Sequence, residues 1–227
     1  MGELITFRSN GVQASGYLAL PKSGSGPGVL VIQEWWGLVG HITNVCDRFA
    51  AENFVALAPD LYHGKKTDEP NEAEKLAMAL RLPDAAKDLA GAIDALKDRS
   101  EGSGVGVVGF CLGGGLALFA ASQRPNDVRA VVPFYGYINS DDASAQYAAI
   151  TGAVQGHFAE NDTWATPEIA REIERQIRAS GNTDVTMHVY PNAEHAFFND
   201  ERPESYSAEA SALAWERTLA FLRKELG

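Results

Sequence analysis

Gly106-Val107-Val108-Gly109-Phe110-Cys111-Leu112-Gly113-Gly114-Gly115 decides how this chain folds. An apolar, β-branched run ends in a cysteine with a glycine two residues to either side, and a small-residue helical pattern follows. This is the strand–sharp turn–helix pattern G-x-S-x-G with sulfur in place of the serine oxygen. Such a turn holds its central residue in strained backbone geometry, so its neighbours must be tiny, and Gly109 and Gly113 meet that need. The free N–H groups opening the next helix favour a thiolate at the turn and can stabilise an oxyanion. The decapeptide therefore points to acyl transfer through a thioester.

Working outward, apolar runs Gly28–Gln33, Phe54–Ala58, Val105–Val108, Ala130–Phe134, Gly152–His157 and Val185–Tyr190 read as buried strands. Helical patterns over His41–Glu52, Asp84–Lys97, Leu116–Ser122, 167–180 and 206–225 alternate with them. Residues 64–83 read as a loop with a short helix near the site mouth. The alternating runs Leu4–Arg8 and Ala14–Leu20 flank Ser9-Asn10-Gly11 and predict a hairpin. The rhythm implies one α/β domain over residues 1–227: a mostly parallel central sheet with helices on both faces and a short N-terminal antiparallel hairpin. No internal repeat or low-complexity linker interrupts it.

Composition narrows the class. The 227 residues carry a net charge of −11, with no basic stripe, which argues against nucleic acid and anionic membrane as partners. No apolar run approaches the ~18 residues that span a bilayer, and the N-terminus lacks a basic-then-apolar leader. The expectation is a cytoplasmic protein. Only two cysteines, Cys46 and Cys111, are present, so a disulfide framework is not expected. Cys46 falls on an apolar helical stripe and reads as core. His41, His63, His157 and His188 lack metal-ligand spacing, so no metal is assigned. Gly104–Gly109 matches G-x-G-x-x-G literally, but those residues are themselves the strand and the helix opens only after Cys111, against a nucleotide site.

A nucleophile needs a base, and the base an orienting acid. In α/β-hydrolases the chain order is nucleophile, acid, histidine. Cys111, Asp162 and His195 occur in that order, each just past a predicted strand, and would converge at the C-terminal edge of one sheet. A lone cysteine between Phe and Leu is usually inert core; the glycines and the ordered partners argue otherwise here. Glu34 ends the strand at Gln33, where a carboxylate needs a partner. It either lies beside the thiol and governs its ionisation or forms a structural salt bridge with Arg48 or Arg129. The backbone N–H groups of Trp35 and Leu112 are the expected oxyanion hole. Trp36, Tyr62, Tyr135, Trp164, Phe197 and Phe198 are candidate pocket walls, about half of them expected to line the site.

With those residues in hand, the chain resembles the dienelactone hydrolase (carboxymethylenebutenolidase) family. The resemblance runs from the N-terminal hairpin to Trp215-Glu216-Arg217-Thr218. It is carried by Gln33-Glu34-x-x-Gly37, Ala58-Pro59-Asp60-Leu61-Tyr62, Gly109–Gly114, Asp162 and His195-Ala196-Phe197. It implies an α/β-hydrolase fold, a Cys111–His195–Asp162 triad, and a Glu34 that helps generate the thiolate when substrate displaces it from the resting thiol. It also implies no cofactor and a monomer. One departure stands out. The family grips a substrate carboxylate with two arginines, one of them four residues after the histidine, where this chain has Asn199. No arginine lies between Arg48 and Arg81, and Lys65, Lys66 or Arg202 could substitute without matching by motif. The expected function is a cysteine hydrolase of a lactone or small activated ester. The alternatives are an esterase or thioesterase acting on a neutral substrate, and a non-enzymatic thiol sensor.

Overall fold

Strand β1 (Glu3–Ser9) runs antiparallel to β2 (Val12–Ala19), in register from Glu3 opposite Leu18 to Ser9 opposite Val12. The computed structural model describes residues 2–9 and 11–227; Asn10, in the expected hairpin turn, lies outside the described residues. The remaining elements alternate except where two helices follow β4: β3 (Pro27–Ile32), α1 (Gly40–Ala51), β4 (Val55–Pro59), α2 (Pro70–Ala79), α3 (Leu82–Lys97), β5 (Glu101–Phe110), α4 (Leu112–Gln123), β6 (Val128–Phe134), α5 (Ala143–Ala148), β7 (Ala153–Ala159), α6 (Pro167–Ala179), β8 (Val185–Tyr190) and α7 (Ala208–Leu226).

The eight strands form one sheet in the order β1-β2-β4-β3-β5-β6-β7-β8. The first hairpin and its junction with β4 are antiparallel; all other pairs are parallel. Continuous apolar runs become strands buried on both faces, as in β4, where every residue is buried. Along β5, a side chain at Gly106 would face Leu222 and Leu226 of α7, while one at Gly109 would face α4. Helices thus cover both sides of the sheet. Helix α4 is buried from Gly113 to Ser122, because small and apolar residues occupy its whole circumference.

This topology sets the site. The chain goes outward from β3 to β4, then returns across β3 to β5 and proceeds the other way. Between β3 and β5 the winding reverses, and loops leaving their C-terminal ends diverge into a crevice. The two strands end level, with Ile32 paired to Gly109. Hence Glu34-Trp35 and Cys111 emerge side by side.

Three sequence expectations need adjustment. The second strand ends at Ala19 rather than Leu20, which is exposed. The mixed segment 64–83 holds a full helix, α2, and the start of α3, with a proline near each N-terminus supplying the preset φ that opens a helix. Helix α5 was not expected: its six residues, ASAQYA, are too few to show a period.

Candidate active site

Cys111 sits at the N-cap of α4 with φ +53° and ψ −117°, a conformation that L-residues avoid. Its N–H donates to the Phe134 carbonyl at 3.0 Å, and its carbonyl accepts from Gly114 at 2.8 Å. A Cβ at Gly109 would collide with the Gly113 carbonyl, and one at Gly113 with the Ile32 carbonyl. The two glycines are what let β3, β5 and α4 close around a strained cysteine.

Asp162, in the loop after β7, has both oxygens committed. Oδ1 accepts from the N–H groups of Trp164 (2.8 Å) and Ala165 (2.9 Å), and Oδ2 meets His195 Nδ1 at 2.6 Å. Burial alone would raise its pKa; the bond to His195, that residue's charge and the two backbone donors together hold it below the usual carboxylate range. His195 lies in the loop after β8, braced by positive φ at Asn192 and Ala196. With Nδ1 on Asp162, the other ring nitrogen is left for Cys111, with which the imidazole also hydrogen-bonds. Burial pulls the imidazole's pKa down, but the hydrogen bonds to Asp162 and Cys111 and the charges of both push it up to about 10. The loops themselves are laced together, Glu160 N–H to Tyr190 carbonyl and Asn161 N–H to Ala193 carbonyl, each 3.0 Å.

Cys111 and His195 open onto a cavity of about 530 Å³ that is also lined by Glu34, Trp35, Trp36, Leu112 and Trp164. Ala77 of α2 and Ala196, Arg202, Glu204 and Ser205 from the loop before α7 complete it. Leu112 is the first residue of α4, where a backbone N–H has no acceptor inside the helix.

Four candidate walls are not in the lining. Phe197 and Phe198 are core, packed on Tyr190 and Phe110 respectively. Tyr62 is buried beneath the surface. Tyr135 lies behind the site: its hydroxyl donates to Glu34 Oε1 at 3.4 Å and its ring meets His195 edge-on at 5.1 Å. Burial first, then the nearby Glu34, Cys111 and Asp162, raise its pKa, so the phenol keeps its proton. Trp36 and Trp164 do line the cavity.

Glu34 is 1% exposed and makes neither of the ion pairs considered for it. Arg48 instead stacks over Phe198 and Trp215, and Arg129 lines a depression at the opposite end of the strands. The second Glu34 oxygen accepts from Asn199 Nδ2 at 2.6 Å. Of the three candidate cations, Lys65 and Lys66 line a separate depression and Arg202 reaches the cavity onto which Cys111 opens.

The model of the dienelactone hydrolase family matches residues 14–226. The chain belongs to that family. It is a hydrolase of the α/β-hydrolase fold, acting on esters or lactones. Protein usf of Aquifex pyrophilus is 37% identical over the whole of both chains. A protein of Aquifex aeolicus (strain VF5) carrying the provisional name carboxymethylenebutenolidase is 33% identical, again over 100% of each. Among solved structures, a dienelactone hydrolase-like promiscuous phosphotriesterase from metagenomic libraries covers 100% of this chain and 99% of its own, with a TM-score of 0.89 at 22% identity. That last likeness speaks for the fold. No helix among the described residues is long and apolar enough to cross a membrane.

Proposed function

We propose that this family member is a cysteine hydrolase of lactones or small activated esters, working through a thioester on Cys111. The observation that carries the reading is the unbroken contact from Asp162 through His195 to Cys111 at the strained turn. A free thiol ionises near pH 8.5, so attack at neutral pH needs a counter-charge or a base. An imidazolium held against the sulfur supplies the first.

The sulfur adds to the substrate carbonyl, and the carbonyl electrons move to oxygen. The N–H groups of Leu112 and Trp35 receive that oxyanion. Collapse expels the alkoxide, which takes the His195 proton; in a lactone the ring opens and the alcohol stays attached. His195, now neutral, removes a proton from water. The resulting hydroxide attacks the thioester, the carboxylic acid leaves, and the thiolate–imidazolium pair is restored. Thiolates expel enol and aryl oxides far better than amide nitrogen, which places activated esters ahead of peptides.

A neutral substrate is favoured by the charges lining the cavity. The cavity wall carries the carboxyl side chains of Glu34 and Glu204, and Arg202, the cation beside them, is engaged already. Its guanidinium lies 3.9 Å over the Trp36 ring and donates to the Asp68 carbonyl at 3.2 Å. Hydrolysis of dienelactone and a short aryl-ester panel by the wild type and Cys111→Ala tests the reading, with intact-mass detection of an acyl adduct. Cys111-dependent turnover with the adduct on Cys111 is expected, best on uncharged esters. Equal rates in the two proteins would overturn the nucleophile. Efficient turnover of dienelactone would overturn the neutral preference alone.

A further inference from the structure

Asn199 is 2% exposed and its amide is fully specified. The Glu201 N–H donates to Asn199 Oδ1 at 3.0 Å, so the opposite end of the amide must be the NH2 group. That group donates to Glu34 Oε2 at 2.6 Å, while the Tyr135 hydroxyl donates to Oε1. A buried carboxylate is thus gripped at both oxygens by uncharged donors. The grip also crosses the site. Asn199 follows His195 on the same loop, Glu34 precedes Trp35 on the β3 loop, and the Tyr135 ring rests edge-on against His195. These are the two loops that must hold a fixed spacing while the oxyanion forms between them.

We propose that Asn199 is a positioning residue for the hydrolysis: through Glu34 it ties the loop bearing the base to the loop bearing the oxyanion donor, with Tyr135 closing the clasp. The inference rests on the cysteine-hydrolase reading above. Its consequence is that the site is assembled before substrate arrives, with no charged group on the substrate needed to organise Glu34.

Asn199→Asp is the decisive variant. It keeps the shape and the acceptor for Glu201 N–H, but sets a second carboxylate against Glu34. Like charges in contact raise one member's pKa, so a shared proton can rebuild the bond on the acid side. The charged and titratable groups around the pair include Tyr135, Cys111, His195, Asp162, Arg202 and Glu204, with Asp200 and Glu201 following Asn199 in the chain. With 4-nitrophenyl acetate, kcat at pH 8 is expected to fall on the order of 100-fold, the scale of a lost hydrogen bond to a charged group. KM should stay within about twofold, and roughly tenfold of the loss should return at pH 6 when each rate is divided by that of the wild type. Tyr135→Phe, which removes only the hydroxyl, should lower kcat by about threefold to tenfold and serves if Asn199→Asp does not fold. Unchanged kcat in both variants would overturn the proposal, as would a loss equal at both pH values and matched by a fall in thermal midpoint. Activity surviving in Cys111→Ala would instead remove the cysteine reading beneath it, whatever the Asn199 variants do.

Discussion

Two imidazoles near the same end of the sheet, one buried and one half-buried, behave in opposite ways. His157, on β7, is fully buried; Tyr190 Oη lies 2.7 Å from Nδ1 and Thr218 Oγ1 lies 3.1 Å from Nε2. Burial, and then repulsion of a proton by the neighbouring His188 and Arg217, push its pKa well below the ordinary histidine value. His195, one loop away, is held up at about 10. Burial acts downward on both. The leading difference is the partner on Nδ1, a hydroxyl for His157 and for His195 a carboxylate whose own donors keep it ionised; Cys111 adds to the upward shift of His195, and Arg217 to the downward shift of His157. The ring near the sulfur becomes a stored proton, and the ring in the core becomes a neutral brace joining β7, β8 and α7.

Exchanging that one partner should produce the largest effect. Asp162→Asn leaves the Nδ1 contact but takes away its charge, which makes His195 resemble His157. The kcat for aryl esters should drop on the order of 10³- to 10⁴-fold, the scale seen when an orienting carboxylate is made an amide in hydrolytic triads. Thermal stability should change little by comparison. A residual rate within tenfold of wild type would mean that Asp162 is not what keeps the proton on His195.

The reciprocal change tests the brace. His157→Phe fills much of the same space yet strands the Thr218 hydroxyl and leaves the Tyr190 hydroxyl with Arg217 alone. Denaturant unfolding should show a loss of about 1–3 kcal/mol, the cost of an orphaned buried polar group. Activity per folded molecule should stay within about twofold, because His157 contacts none of the cavity groups. A fall in kcat without a fall in stability would break the division of labour.

Stability against pH should carry both signatures. His157 binds a proton more weakly folded than unfolded, so protonation favours unfolding, and stability should decline as pH falls below about 6.5. His195 is the reverse: its contribution is complete below about 6.5 and is lost as pH rises through about 10. Asp162 adds a separate acid loss, below the ordinary carboxylate value of 3.8. The thermal midpoint should therefore peak at intermediate pH. His157→Phe should flatten the limb just below pH 6.5, and Asp162→Asn the alkaline limb. An alkaline limb unchanged in Asp162→Asn would contradict the assigned cause of the His195 shift.

How much of this was legible beforehand follows from distance along the chain. The elbow could be read because its constraints are local: Gly109, Cys111 and Gly113 explain one another within five residues. The parallel sheet could be read because β3 and β4 are apolar throughout and the other parallel strands carry apolar runs of their own. The pocket walls could not, since Tyr135 and Phe197 are flanked by aromatic and small residues just as Trp36 is. Which face of a loop an aromatic takes depends on packing that only the closed fold supplies. The bond from Asn199 to Glu34 joins residues 165 positions apart and leaves no local pattern. In sequence, Asn199 was visible only as a missing arginine.

Arg202 offers the finest test of the rule that partners decide what a charged group does. It is a cation held by a ring face and a backbone carbonyl rather than by a carboxylate, so its role should be to stiffen the Trp36 wall. Arg202→Gln removes a cation–π contact worth about 0.5–1 kcal/mol at a partly exposed site. KM for a neutral aryl ester should therefore rise by about twofold to fivefold, with kcat unchanged, the signature of lost uniform binding. The rise should be the same for an ester bearing a free carboxylate. If the loss falls mainly on the anionic ester, Arg202 is an anchor for substrate charge, and the partner that matters at this position is one the substrate brings.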